Sequence, residues 1–255
     1  MYGPFGHNIY RMNGIESHKE RYRNLIKLPM AFRVLVIDTE TSGLPKDRRS
    51  TPDKHDRWPR IVQVGAILYK CPYNGLPGRI LKRYSNLVCP NDWLIEDGAA
   101  KVHGITNEYA KKNGNDIVTV LNDILELSKK ADAICCHNVE FDVPVILAEY
   151  YRNNLIPTPR ENPFVSLPNV CTMKIGKKLC RMLVEGTRRN GDKYLYYKSP
   201  KLSEMYKHIF DKEFTGKLHN ALEDCEATVA ILDSLCKDHV PFLRVAVPDL
   251  FHFTK

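Results

Sequence analysis

No run of apolar residues in the 255-residue chain is long enough to cross a bilayer, so a helical membrane protein is not expected. The start, Met1-Tyr2-Gly3-Pro4-Phe5-Gly6-His7, has no apolar h-region, and the reading is a soluble intracellular protein without a secretory signal, its compartment unread. None of the eight cysteines is spaced C-x-x-C, which argues against a zinc ribbon or a dithiol redox motif. Several sit in apolar stretches, as in Ala133-Ile134-Cys135-Cys136, and read as reduced thiols packed as small hydrophobes. There is no internal repeat, no convincing second domain, and no polymerase or helicase region, so any such partner would bind in trans.

What is present is an ordinary globular composition, 43% hydrophobic, with a net charge of +8. That charge is unevenly placed. Residues 174–201 hold nine Lys/Arg against two acids, and residues 1–33 hold six against two. The rest of the chain is net acidic. Basic flanks around an acidic centre suit an enzyme that holds cations and grips a polyanion; solvated surface is the plainer account of either basic run.

The pattern of elements is α/β. Residues 33–39 read as a buried strand, with Val34, Leu35, Val36 and Ile37 in a row, and residues 60–69 and 79–88 as two more, joined by a turn-rich hairpin connection. Residues 95–103 read as a short helix ended by Gly104, and 116–129 as an amphipathic helix. A strand at 133–137 leads into a helix whose first turn should contain Pro144. A strand at 169–172 and helices at 202–210 and 221–236 follow, with 181–199 as a loop or small hairpin. The expected fold is a mixed five-stranded sheet with helices on its faces. Residues 1–30, with a short helix near 16–28, read as a basic extension, 31–237 as the folded domain, and 238–255 as a tail.

Three clusters carry the chemistry. Asp38 and Glu40 stand two apart on a strand and point to one face. Asp142 lies at the start of the helix after the fourth strand, where a carboxylate also complements the helix dipole. His219 precedes Asp224 across a loop-to-helix junction, and a histidine is suited to taking a proton near neutral pH. Four carboxylates converging at element ends can bind hard divalent cations, and two such cations can drive phosphodiester cleavage.

These clusters, as Asp38-Thr39-Glu40-Thr41-Ser42-Gly43-Leu44, His137-Asn138-Val139-Glu140-Phe141-Asp142 and His219-Asn220-Ala221-Leu222-Glu223-Asp224, closely resemble the three motifs of the DEDDh (DnaQ-like) 3′→5′ exonucleases of the ribonuclease H-like fold. Ile61-Val62-Gln63-Val64-Gly65-Ala66 and Val102-His103-Gly104-Ile105-Thr106 add to the likeness, which spans residues 32–236. The resemblance implies a sheet whose first three strands form an antiparallel meander. It implies Mg²⁺ or Mn²⁺ held as two ions by Asp38, Glu40, Asp142 and Asp224, with His219 as general base. It also implies contacts to the terminal nucleotides from Thr39, Thr41, Leu44, His103, Asn138 and Phe141, although Phe141 also reads as a core anchor. The implied partner is a nucleic acid with a free 3′ end, single-stranded or frayed. DNA is the first reading and RNA the alternative; a binding or polymerase-accessory subunit with residual activity is the reading of another class.

Two segments lie outside the motifs. The basic stretch near 181–199 contains Arg188, Arg189, Lys193, Tyr194, Tyr196 and Tyr197, cations and rings of the kind that grip a single strand. Val247-Pro248-Asp249-Leu250-Phe251 resembles peptides that dock into sliding clamps, or is simply an apolar tail packed on its own domain.

Overall fold

A computed structural model describes residues 32–72, 76–155, 158, 160–217 and 219–238. The basic extension with its helix near 16–28, and the tail with its clamp-like peptide, lie outside the described residues. Five strands form one sheet: β1 (Arg33–Thr41), β2 (Ile61–Lys70), β3 (Arg79–Leu87), β4 (Ala133–Cys136) and β5 (Asn169–Cys171), in the order β3-β2-β1-β4-β5. The first three form the expected antiparallel meander, and β4 and β5 run parallel to β1. A second, two-stranded antiparallel sheet pairs β6 (Leu183–Thr187) with β7 (Lys193–Tyr197). The helices are α1 (Asp97–His103), α2 (Asn107–Asn113), α3 (Ile117–Ser128), α4 (Val139–Arg152), α5 (Pro163–Ser166), α6 (Thr172–Cys180), α7 (Leu202–Phe210) and α8 (Ala221–Asp238). No helix among the described residues is long and apolar enough to cross a membrane.

The alternation of β1 sorts the core into two layers. Leu35 and Ile37 face α3 and α4, packing with Leu121, Ile124 and Ile146; Val34 and Val36 face α6, α7 and α8, packing with Ile175, Met205 and Leu232. Each fully buried aliphatic side chain of this kind contributes about 1.5–3 kcal/mol. The all-apolar run in β1 is thus the signature of a central strand covered on both faces. Five of the eight cysteines are buried and all eight are free thiols, as their apolar surroundings suggested.

Some expectations need correction. Pro144 is not in the first turn of its helix. It is the sixth residue of α4, because the helix begins immediately after Asn138. Its missing N–H leaves the Glu140 carbonyl without its helical donor. The helix at 95–103 begins only at Asp97: the Ile95 N–H and carbonyl are both held by the Asn107 side chain, and Glu96 is extended. The sequence pattern predicts none of the helices α2, α5 and α6. The segment 181–199 is the hairpin β6–β7, turned at Gly191, whose φ of +89° suits glycine.

Candidate active site

The site forms where β1 outruns its neighbour. The last β1–β4 pair is Val36 with Cys135, and β4 ends one residue later, so Asp38 and Glu40 project past it on one side. The chain leaving β4 turns at His137-Asn138 into α4 and brings Asp142 into the gap. Asp142 Oδ1 accepts two hydrogen bonds from Thr39, from the backbone N at 3.0 Å and from Oγ1 at 2.8 Å. Asp142 is therefore more than a helix-start carboxylate: only 3% of its surface is exposed.

On the other face, α8 delivers Asp224. The β2 residues opposite Asp38 and Glu40 are Gly65 and Gln63. A side chain on Gly65 would sit 2.2 Å from the Ala221 backbone, so only glycine lets α8 approach. Gln63 Oε1 accepts a hydrogen bond from Ala221 N at 3.2 Å. His219, with φ of +62°, precedes the helix and is exposed, and its backbone N donates to Asp224 Oδ2 at 3.1 Å. Glu40, His219 and Asp224 each offer a ligand atom, all within 4.8 Å of one another.

Electrostatically the cluster is unbalanced. No Lys or Arg among the described residues forms an ion pair with any of the four acids. Burial, then the charges of Asp142, Asp224 and Glu40, hold the Asp38 carboxyl well above its usual range. Burial, then the charges of Asp224 and Asp142, push Glu40 up to about 7. Burial raises Asp142 to about 7 against the pull of the Thr39 hydrogen bonds, and raises Asp224 to about 6. Asp224 Oδ1 is buried with no hydrogen-bond partner. Hard oxygen donors, crowded and short of positive charge, with one lone pair unmet, fit divalent cations such as Mg²⁺ or Mn²⁺.

The remaining predicted residues fall into two groups. Thr39 and Thr41 are buried at the end of β1, and Thr41 Oγ1 donates to the Gly43 carbonyl at 2.8 Å. Leu44 is 73% exposed at the strand's exit. His103 is buried; its pKa is lowered by burial, with the Thr41 backbone and His219 near enough to act on it, and its Nε2 has no hydrogen-bond partner. Asn138 and Phe141 line a groove beside α4. The basic residues and tyrosines form a separate group. Tyr194 and Tyr196 stack with ring centroids 5.4 Å apart, Arg188 lies 5.5 Å from the Tyr194 ring, and the whole of β7 is exposed. Arg189 is at the hairpin turn, and Lys193 pairs with Glu185 at 2.9 Å. Just past the hairpin, the Pro200 carbonyl lies 3.1 Å from His137 Nε2, whose Nδ1 lies 3.0 Å from Thr172 Oγ1.

A buried ionic brace escaped the sequence reading. Glu149, 1% exposed, accepts from Arg60 Nε at 3.0 Å and Ile61 N at 3.1 Å, and pairs with Arg152 at 2.9 Å. Arg152 also donates to the carbonyls of His55 and Trp58, tying the loop before β2 to α4. The readable signal was a lone carboxylate on an inward helix face between Ala148 and Tyr150.

The exonuclease family model RNase_T matches residues 35–232. The chain belongs to this exonuclease family. The expectation of a DEDDh-type 3′→5′ exonuclease holds at the level of family, fold and enzyme class. The exonuclease is 28% identical over 192 residues to the DNA polymerase III subunit epsilon of Buchnera aphidicola subsp. Schizaphis graminum (strain Sg), covering 73% of this chain and 72% of the relative. It is 29% identical over 196 residues to the same subunit of Buchnera aphidicola subsp. Acyrthosiphon pisum (strain APS), covering 73% and 71%. Among solved structures it is similar to E. coli Exonuclease I in complex with a dT13 oligonucleotide, with a TM-score of 0.57 at 19% identity over 87% of this chain and 43% of that one. Exonuclease I from Methylocaldum szegediense gives a TM-score of 0.60 at 18% identity over 84% and 42%. At these identities the likeness is one of fold, and this exonuclease spans less than half the length of those chains.

Proposed function

We propose that this exonuclease hydrolyses DNA from free 3′ ends, in proofreading or repair, and releases nucleoside monophosphates with two divalent cations, Mg²⁺ or Mn²⁺. The observation that carries the reading is the convergence of four carboxylates, three of them buried, that lack any basic partner among the described residues and have an exposed histidine beside them. DNA is favoured because the relatives are subunits of a DNA polymerase and an Exonuclease I neighbour holds a dT13 strand. The same relatives support a polymerase partner in trans, and the strand in that neighbour supports a single-stranded or frayed end.

Asp38, Glu40, Asp142 and Asp224 would hold the cations, which when bound supply Lewis acidity for phosphodiester cleavage. His219 takes the proton of the attacking water; its exposure lets it reach solvent, and its backbone bond to Asp224 fixes where it starts. The backbone at Thr39 and Thr41 receives the terminal 3′-hydroxyl. Leu44, His103, Asn138 and Phe141 shape the pocket for the last nucleotides. Hairpin residues Arg188, Arg189, Lys193, Tyr194, Tyr196 and Tyr197 hold the strand nearby, tyrosines on bases and cations on phosphates.

The test is degradation of matched 5′-labelled DNA and RNA oligonucleotides in Mg²⁺ and in Mn²⁺. The expected result is a ladder shortening from the 3′ end of DNA, abolished in Asp38→Ala. Faster loss of RNA would make the chain an exoribonuclease. Binding without degradation would make it an accessory subunit, and wild-type turnover by Asp38→Ala would refute the metal mechanism.

A further inference from the structure

Two grooves meet on the outer side of α4. One, of about 520 Å³, is lined by Asn138 and Phe141 and walled by Trp58. The other, of about 650 Å³, runs between α4 and α6 with Val139, Val143 and Cys171 as its apolar wall. Glu140 and Pro144 line both, so the two adjoin across these side chains. Along the far rim stand Lys174, Lys177 and Lys178. Lys177 and Lys178 follow Lys174 by three and four residues, which puts all three on one face of α6, the later two about 4.5 and 6 Å further along its axis. Lys177 and Lys178 are exposed and have no ion pair among the described residues. Lys174 is paired with Glu140 at the junction of the grooves. The opposite face of α6 is committed to the core through Ile175, and a side chain on Gly176 would lie 2.6 Å from Met205 Sδ. Lys177 and Lys178 are therefore held in place with their charges open, while that of Lys174 is matched by Glu140.

We propose that this trench is the track of the single strand upstream of the 3′ end, resting on the exonuclease reading above. The last nucleotides lie over Asn138 and Phe141, and phosphates further upstream lie along Lys174, Lys177 and Lys178. Glu140 is a charge gate: its pairing with Lys174 is exchanged for a phosphate as the strand extends past the junction. The apolar wall takes sugar and base surface and the lysine rim takes the backbone charge, the division of labour a single strand requires. The track differs from the hairpin grip in its residues and in the length of strand it needs.

The test compares the wild-type chain, Lys177→Ala/Lys178→Ala, the charge-keeping Lys177→Arg/Lys178→Arg and Glu140→Gln. Substrates are oligo-dT of increasing length, up to about 15 nucleotides, and the p-nitrophenyl ester of thymidine 5′-monophosphate, which is too short to enter the trench. For the alanine pair, KM on the longest strand should rise roughly tenfold and the slope of log affinity against log salt should flatten by about 1.4, two phosphates' worth for a single strand. Turnover of the nitrophenyl ester should be unchanged. The arginine pair should restore KM, and Glu140→Gln should lower it severalfold on long strands only. The track is overturned if the alanine pair shows the wild-type dependence on strand length and salt. A wild type inert on both the ester and the strands overturns the exonuclease reading, and the track with it.

Discussion

Gly65 stands directly across the β1–β2 ladder from Asp38, and the Ala221 backbone occupies the place a Gly65 side chain would need. The strand partner of one acid is thereby the docking point for the helix that carries another. Gly65→Ala is expected to displace α8, destabilise the fold by about 1–3 kcal/mol and lower kcat about a hundredfold through misplacement of Asp224. Gly98→Ala, where nothing lies within 4 Å, should leave both unchanged or slightly raise stability. Thermal melts and steady-state rates of the two variants decide it; equal behaviour would refute the packing argument.

The Asp142 carboxylate depends on Thr39. Thr39→Val keeps the shape of the side chain and removes the 2.8 Å hydroxyl bond. A hydrogen bond to a charged group contributes about 1.5–3 kcal/mol, so the Asp142 pKa should rise and the affinity for Mn²⁺ fall tenfold or more. Calorimetric titration with Mn²⁺ reads the change; an unaltered affinity would separate Asp142 from cation binding.

Cations should stabilise the fold more at neutral than at acid pH. Folded-state pKa values of about 7 for Glu40 and Asp142 and about 6 for Asp224 lie above their unfolded values. The stability these groups lend is complete below pH of about 4 and is lost as pH rises through 6 to 7, when uncompensated charge accumulates. Mg²⁺ or Mn²⁺ at about a hundred times its Kd should restore about 2.7 kcal/mol, several degrees of Tm at pH 7.5, with little shift at pH 5. A shift that is equal at both pH values would count against these acids as the binding group.

His137 has the opposite sign. Burial lowers its pKa to about 4, and a neutral ring is what accepts from Thr172 while donating to the Pro200 carbonyl. The unfolded chain takes up a proton below about 6.5 and the folded one only near 4, so stability should fall by about 3 kcal/mol across that window. Urea denaturation at pH 7 and pH 4.5, wild type against His137→Asn, measures it: the variant should lose less stability on acidification.

The legible parts of the molecule were those written in short stretches. The run Val34–Val36–Ile37 announces a central strand, and Asp38 and Glu40, two apart, announce a shared face. Helix α6 escaped because its apolar residues, Met173, Ile175, Leu179 and Cys180, are interleaved with three lysines and a glycine, and Gly176 makes sense only once Met205 is seen against it. Helix α2 gives the core only Ala110 and is marked chiefly by its Thr106 cap, which accepts from Tyr109 N. The Thr39–Asp142 bonds span 103 residues and the Glu149 brace nearly ninety; no local pattern encodes such pairings. Pro144 was misplaced because a proline rule for first turns gave way to α4 starting early, at the end of β4.

The distance between the acids along the chain has a consequence for how the protein comes into being. Residues 38, 142 and 224 meet only after β4 has inserted beside β1 and the last described helix has docked on Gly65. During synthesis, a chain that has emerged only as far as α7 lacks Asp224 and the helix that covers one face of β1 and β2. Nuclease activity should therefore appear in a single late step on refolding, coincident with the slowest structural phase rather than with collapse of the sheet. A nascent chain halted before α8 should accordingly cut no nucleic acid, and activity should follow only once that helix has been made.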